Sequence, residues 1–221
     1  NCQQTVGGHR KFYLNHLTKF LKENSRYNSK VNLDLLIGKK QSLVDAIDAK
    51  DFIYLINHLY RILISGKQSE FITVSNSMIL KGYTLDILFD EIIIPILEKI
   101  GFQWSKGKLT ISEEHLATVI IRKFLSSLTL EKVVNNAKYN AFCFTLTDDR
   151  HDLPLHLAES ILNQNDKIKI FNLGPNLPVE DFITLSQKTN PEIIYVSIIY
   201  IDNLDLINQQ VNLMCEYFLD T

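Results

Sequence analysis

The sequence predicts a helical bundle followed by a parallel α/β sheet, and two observations predict it. Residues 42–130 repeat apolar side chains at helical spacing, with short connections between the repeats. After Asn135, short apolar runs alternate with helical stretches, the pattern of βαβ units. The charge is also unevenly divided. The whole chain of 221 residues carries a net charge of −2. Residues 1–40 hold eight basic and two acidic side chains, a net of +6, which leaves −8 for the remaining 181. A basic module joined to an acidic body is expected. A hydrophobic content of 46% with 22% charged residues excludes a disordered chain.

The elements follow in order. Gly7-Gly8 permits a tight turn, and the basic and aromatic residues His9, Arg10, Lys11, Phe12 and Tyr13 come next. A short helix places Leu14, Leu17, Phe20 and Leu21 on one face. The polar run from Glu23 to Lys30 reads as a linker ending near Lys40. Ser42 is placed to cap a helix with Leu43, Ala46 and Ile47. Asp51 opens a second helix, carrying Leu55, Leu59, Ile62 and Leu63 and stopped by Gly66. A third begins near Ser69. A fourth, capped by Thr84, runs to about Ile100 with a kink expected at Pro95. Ser112 is read as the cap of a fifth. Strands are expected at Ala141–Leu146, Ile168–Leu173 and Ile193–Ile199, and helices at Leu153–Leu162, Val179–Ser186 and Leu204–Phe218. Three strands are fewer than a doubly wound sheet normally has, so part of the sheet domain is expected to lie outside this sequence.

Three cysteines, Cys2, Cys143 and Cys215, form no metal-like spacing or disulfide framework, and a reducing cytoplasm is the default expectation. The most apolar stretches, Ile92–Ile100 and Ile193–Ile201, are too short to span a bilayer, so no membrane partner is expected. Cys143, Phe71, Tyr83 and Phe89 read as core, and His58 and His156 as surface or packing residues.

Chemistry is expected where ligands bind a parallel sheet, beyond the carboxyl ends of its strands. The loop after the first strand, Thr147 to Pro154, holds Asp149 two residues before His151. Neutral imidazole ligates transition metals, and a carboxylate on its other nitrogen fixes the tautomer. Spacing alone favours a plainer reading, a polar loop with Asp152 or Asp149 capping the next helix. Any metal here would come inside a cofactor, since no second His or Cys is in position. In the bundle, Trp104 is read in a loop between helices, with Glu114 and His115 in the following first turn. Read alone, these are a core Trp and a capping Glu114.

Taken together and in this order, these residues resemble cobalamin-binding transcriptional regulators of the CarH type. Trp104, nine intervening residues, then Glu114-His115 is similar to the W-x9-EH signature of their helical cap. Asp149-x-His151 resembles the D-x-H-x-x-G motif of their Rossmann-like domain. Leu173-Gly174 with Pro178 matches the L-G-x-x-x-P after its second strand, and Ser197 the Ser ending its third. Thr5 to Tyr13 resembles the wing of a MerR-type winged helix-turn-helix.

The resemblance implies a fragment of a DNA-binding domain at residues 1–24, a linker at 25–40, a helical cap at 41–134 and a Rossmann-like cobalamin-binding domain at 135–221. His151 would bind cobalt, oriented by Asp149. The nucleotide tail would enter beside Ser197 and near Gly174. Trp104, Glu114 and His115 would cover the upper face, where adenosylcobalamin carries its adenosyl group. His9, Arg10, Lys11 and Tyr13 would contact DNA, with phosphate contact giving position rather than sequence. The implied protein is a non-enzymatic homo-oligomer, dimer or tetramer, in which light can break the cobalt–carbon bond and shift a two-state switch. Three departures stand against the pattern. Pro154 replaces the Gly of D-x-H-x-x-G, Ser105 stands where light-sensing relatives can have His, and the later Gly-Gly and the recognition helix are missing because this sequence ends before the one and starts at the wing after the other. Two rival readings are a corrinoid carrier of a methyltransferase system and a regulator that has lost cobalamin and answers a partner protein.

Overall fold

The chain is described from a computed structural model. It covers residues 3–4, 7, 10–11, 14–24, 27, 31–38, 40–129 and 137–219. Two compact units are present, Asn1–Phe124 and Leu125–Thr221.

In the first unit, β1 (Gln3–Gln4) and β2 (Arg10–Lys11) pair antiparallel, Gln3 opposite Lys11 and Gln4 opposite Arg10. Gly7 lies in the turn between them. Helix α1 (Leu14–Glu23) follows. The stretch read as a linker contains a short helix, α2 (Asp34–Ile37), and buries Leu33 and Ile37. Its apolar residues at Leu33 and Ile37 are one helical turn apart, enough to seat a single turn on the bundle.

Helix α3 (Gln41–Ala49) buries Leu43, Ala46 and Ile47. Ser42 is inside this helix rather than its cap, and its hydroxyl is 3.1 Å from the Tyr54 hydroxyl. Helix α4 (Phe52–Ile64) is capped as expected by Asp51, whose Oδ1 accepts the Tyr54 N–H at 3.0 Å. Helix α5 (Gln68–Leu80) buries Phe71, Val74 and Met78. The expected fourth helix is broken. A short α6 (Leu85–Leu88) passes through a π turn at Phe89–Ile93 into α7 (Ile94–Ser105). Pro95 lies in the first turn of α7, so the interruption falls before the proline instead of at it. Helix α8 (Ile111–Thr129) is capped by Thr110, not Ser112. Thr110 Oγ1 accepts the Glu113 N–H at 3.2 Å, and Glu113 Oε2 accepts the Thr110 N–H at 2.8 Å, a reciprocal capping box. Phe71, Tyr83 and Phe89 are core, and Phe71 meets Phe124 edge to face at 5.7 Å between ring centres.

The second unit alternates β3 (Tyr139–Thr145), α9 (Leu153–Leu162), β4 (Ile168–Gly174), α10 (Val179–Thr189), β5 (Ile193–Ser197) and α11 (Leu204–Leu219). The sheet is parallel in the order β4-β3-β5, with Thr145 opposite Ser197. Alternation along β3 assigns its two faces. Phe142 and Phe144 enter a core with Val179 and Phe182 of α10, while Cys143 places its thiol 4.0 Å from Leu155 O in α9. The chain leaves β3 toward β4 and must cross back over β3 to reach β5. The loops after β3 and β5 therefore meet at the switch in strand order, where an open parallel sheet forms its crevice.

Candidate functional site

The crevice is built on Asp149. This carboxylate is only 3% exposed and accepts four hydrogen bonds. Its Oδ1 takes the His151 N–H at 3.0 Å and lies 2.7 Å from His151 Nδ1. Its Oδ2 takes the backbone N–H groups of Ile199 at 2.8 Å and Tyr200 at 3.3 Å, from the loop after β5. Burial pushes the Asp149 carboxyl up, but the bonds from Ile199, from the His151 backbone and ring, and from Tyr200 outweigh it and hold the group below its ordinary value. An ionised Asp149 accepts only, so His151 Nδ1 carries a proton, and in the neutral imidazole this leaves the lone pair on Nε2.

The His151 side chain is 53% exposed, and Nε2 has no hydrogen-bond partner among the described residues. The ring lines a cleft of about 440 Å³ together with Thr147, Arg150, Tyr200 and Leu206. The Tyr200 ring lies 6.3 Å away, centre to centre. An imidazole with one nitrogen tied to a buried carboxylate and the other facing open space is the donor set of a histidine metal ligand. These residues fit a metal-bearing cofactor. Among the described residues no group of three or more His, Cys, Asp or Glu is gathered to hold a bare ion.

Neither expected aspartate caps α9. Asp152 occupies the N-cap position with a helical backbone and no capping bond, and Asp149 is committed to the crevice. Pro154 sits in the first turn of α9, a place suited to a residue with no N–H. Gly174 ends β4 at φ +82, and a methyl group built on it would meet nothing within 4 Å. Backbone conformation, not crowding, favours glycine there. Ser197 ends β5 and is 6% exposed.

In the helical unit, Trp104 belongs to the last turn of α7 rather than a loop and is half-exposed, not core. Glu114 and His115 open α8. Glu114 Oε2 is 3.4 Å from His115 Nε2, and its Oε1 accepts the Thr118 hydroxyl at 2.8 Å. Glu113 takes the capping role expected of Glu114. The Ser105 hydroxyl donates to Phe102 O at 2.9 Å. Arg10 and Lys11 lie on β2, whereas His9 and Tyr13 lie outside the described residues. Sequence reasoning missed the Ile199 and Tyr200 amides. They act through backbone N–H groups, which every residue except proline possesses, so no residue type marks them.

Residues 55–129 match the family model of the B12 binding domain, a stretch that contains Trp104, Glu114 and His115. A curated relative, the HTH-type transcriptional repressor CarH of Myxococcus xanthus, is 26% identical over 110 residues, covering 49% of this chain and 36% of the relative. The chain thus spans about a third of that relative's length. A solved structure, the monomethylamine corrinoid protein of Methanosarcina barkeri, shares the fold. It superposes with a TM-score of 0.60 at 14% identity, over 75% of this chain and 79% of that one. No helix among the described residues is long and apolar enough to cross a membrane. By sequence the chain resembles a CarH-like B12-binding protein, with the B12 binding domain match at residues 55–129, and by fold it resembles a corrinoid protein.

Proposed function

We propose that this chain is a cobalamin-sensing transcriptional regulator and not an enzyme. The observation that carries the reading is the Asp149–His151 pair at 2.7 Å, its free nitrogen facing a cleft at the sheet's switch point. Bound cobalamin would supply a cobalt centre able to exchange a ligand. His151 would hold that metal through Nε2, and Asp149 would fix the ring and its tautomer. Gly174 and Ser197 would border the nucleotide tail. Trp104, Glu114 and His115 would cover the adenosyl group of adenosylcobalamin. The net charge of +6 in residues 1–40 supports DNA contact there, through His9, Arg10, Lys11 and Tyr13. Ligand-dependent assembly into a dimer or tetramer would set DNA affinity, in the cytoplasm.

The test is retention of random-sequence duplex DNA at low salt in the dark, with and without adenosylcobalamin, then after illumination. The reading expects salt-sensitive retention that the cofactor changes by about fivefold or more. No retention under any condition, or retention blind to the cofactor, contradicts it. The fold shared with a corrinoid protein favours one second reading, a corrinoid carrier. That reading expects cobalamin binding without DNA retention.

A further inference from the structure

Gln210 lies on α11 at 6% exposure, next to the exposed Asn208 and Gln209. A buried amide needs partners. Its Oε1 accepts the Thr147 N–H at 3.0 Å, and its Nε2 donates to Leu206 O at 3.4 Å. Thr147 is the second residue beyond β3, on the loop that carries His151. The next amide is held from a third element. Asp148 adopts φ +72, a left-handed conformation that aspartate tolerates better than most residues with a side chain, and its N–H donates to Asn176 Oδ1 at 2.8 Å. Asn176, itself at φ +59, donates its N–H to Asp149 O at 2.9 Å and to Thr145 Oγ1 at 2.9 Å. The Asp149 N–H goes to Leu146 O at 3.1 Å. The amides of residues 147–149 are therefore all engaged, two of them by side chains more than twenty residues distant in sequence.

Neither Gln210 nor Asn176 is bonded to His151, and aspartate permits a left-handed backbone at 148 without by itself holding it there. We propose that Gln210 and Asn176 are positioning residues for His151. They clamp the Thr147–Asp148 backbone so that the imidazole is already in place when a corrinoid metal arrives. Ordering the loop then costs nothing at the moment of binding. This inference rests on the reading of His151 as the metal ligand.

Three variants separate the effects. Gln210→Met keeps length and loses the acceptor, Gln210→Glu keeps an acceptor, and Asn176→Gly keeps the left-handed backbone and loses the acceptor. The probe is hydroxocobalamin, read by its histidine-ligated spectrum. Amide exchange of the cobalamin-free protein is the second readout. Gln210→Met and Asn176→Gly are expected to speed exchange at residues 147–149 and weaken hydroxocobalamin binding about tenfold to a hundredfold. The β3 amides of Phe142 and Phe144 stay protected, and Gln210→Glu restores binding. Unchanged affinity in both acceptor-loss variants overturns the proposal, as does deprotection spreading through β3, which marks a merely structural role. If the wild-type protein itself takes up no hydroxocobalamin, the ligand reading of His151 falls first and this inference with it. If it does and the variants match it, only this inference fails.

Discussion

The buried Asp149 carboxylate binds His151 Nδ1 at 2.7 Å through one oxygen and the Ile199 N–H at 2.8 Å through the other. One side chain thereby joins the loops after β3 and β5 and sets the proton on the imidazole. Replacing it with Ala takes away the acceptor shared by the His151 backbone and ring and by the Ile199 and Tyr200 N–H groups, and empties a buried position. We expect Asp149→Ala to lose about 3 kcal/mol in urea unfolding followed by circular dichroism. A change below about 0.5 kcal/mol would contradict the clamp.

The same carboxyl gives a pH signature. Its folded value is held below the ordinary one, so its stabilisation is complete above the unfolded value of about 4. It is lost as pH falls through the folded value. The stability gap between wild type and Asp149→Asn should be constant near neutrality and shrink below about pH 4. A gap that widens on acidification has the wrong sign.

Gly174 tests the backbone beside the crevice. At φ +82 with open space around it, Gly174→Ala should cost about 1 kcal/mol through conformation alone. Gly101→Ala, within α7 and equally uncrowded, should be neutral or stabilising. Equal effects at the two positions would remove the conformational argument.

The cap of α8 is a fourth check. Thr110→Ala should cost about 1 kcal/mol and Ser112→Ala less than about half of that, measured by thermal unfolding. The reverse order would restore Ser112 as the cap.

Much of this was legible because hydrophobic periodicity is a local property. The alternation of strands and helices after residue 135, the capping by Asp51, and the burial of Phe142, Phe144 and Cys143 followed from spacing. The thiol of Cys143 is pushed up to about 12 by burial, in keeping with an inert core cysteine. At about pH 8, alkylation mapped by mass spectrometry should mark the exposed Cys215 and spare Cys143. Equal labelling in the folded protein would contradict the burial. Other features were less legible. Thr110-x-x-Glu113 carries the capping-box pattern and Ser112 does not, but the two candidates are only two residues apart. Gly101 lowers helix propensity, yet α7 continues past it to Ser105, because the helix is held by buried Ile96 and Ile100. The site itself was half legible. Asp149 and His151 are neighbours in sequence, whereas Ile199 and Tyr200 reach Asp149 from 50 and 51 positions away through the backbone.

The most direct measurement is the absorption spectrum of the protein mixed with hydroxocobalamin and freed of excess ligand, compared with His151→Ala treated identically. The account predicts a retained, histidine-ligated spectrum for the wild type and its loss in the variant, with affinity falling at least about tenfold. The same spectrum and retention in both proteins would contradict the assignment of His151 as the metal ligand.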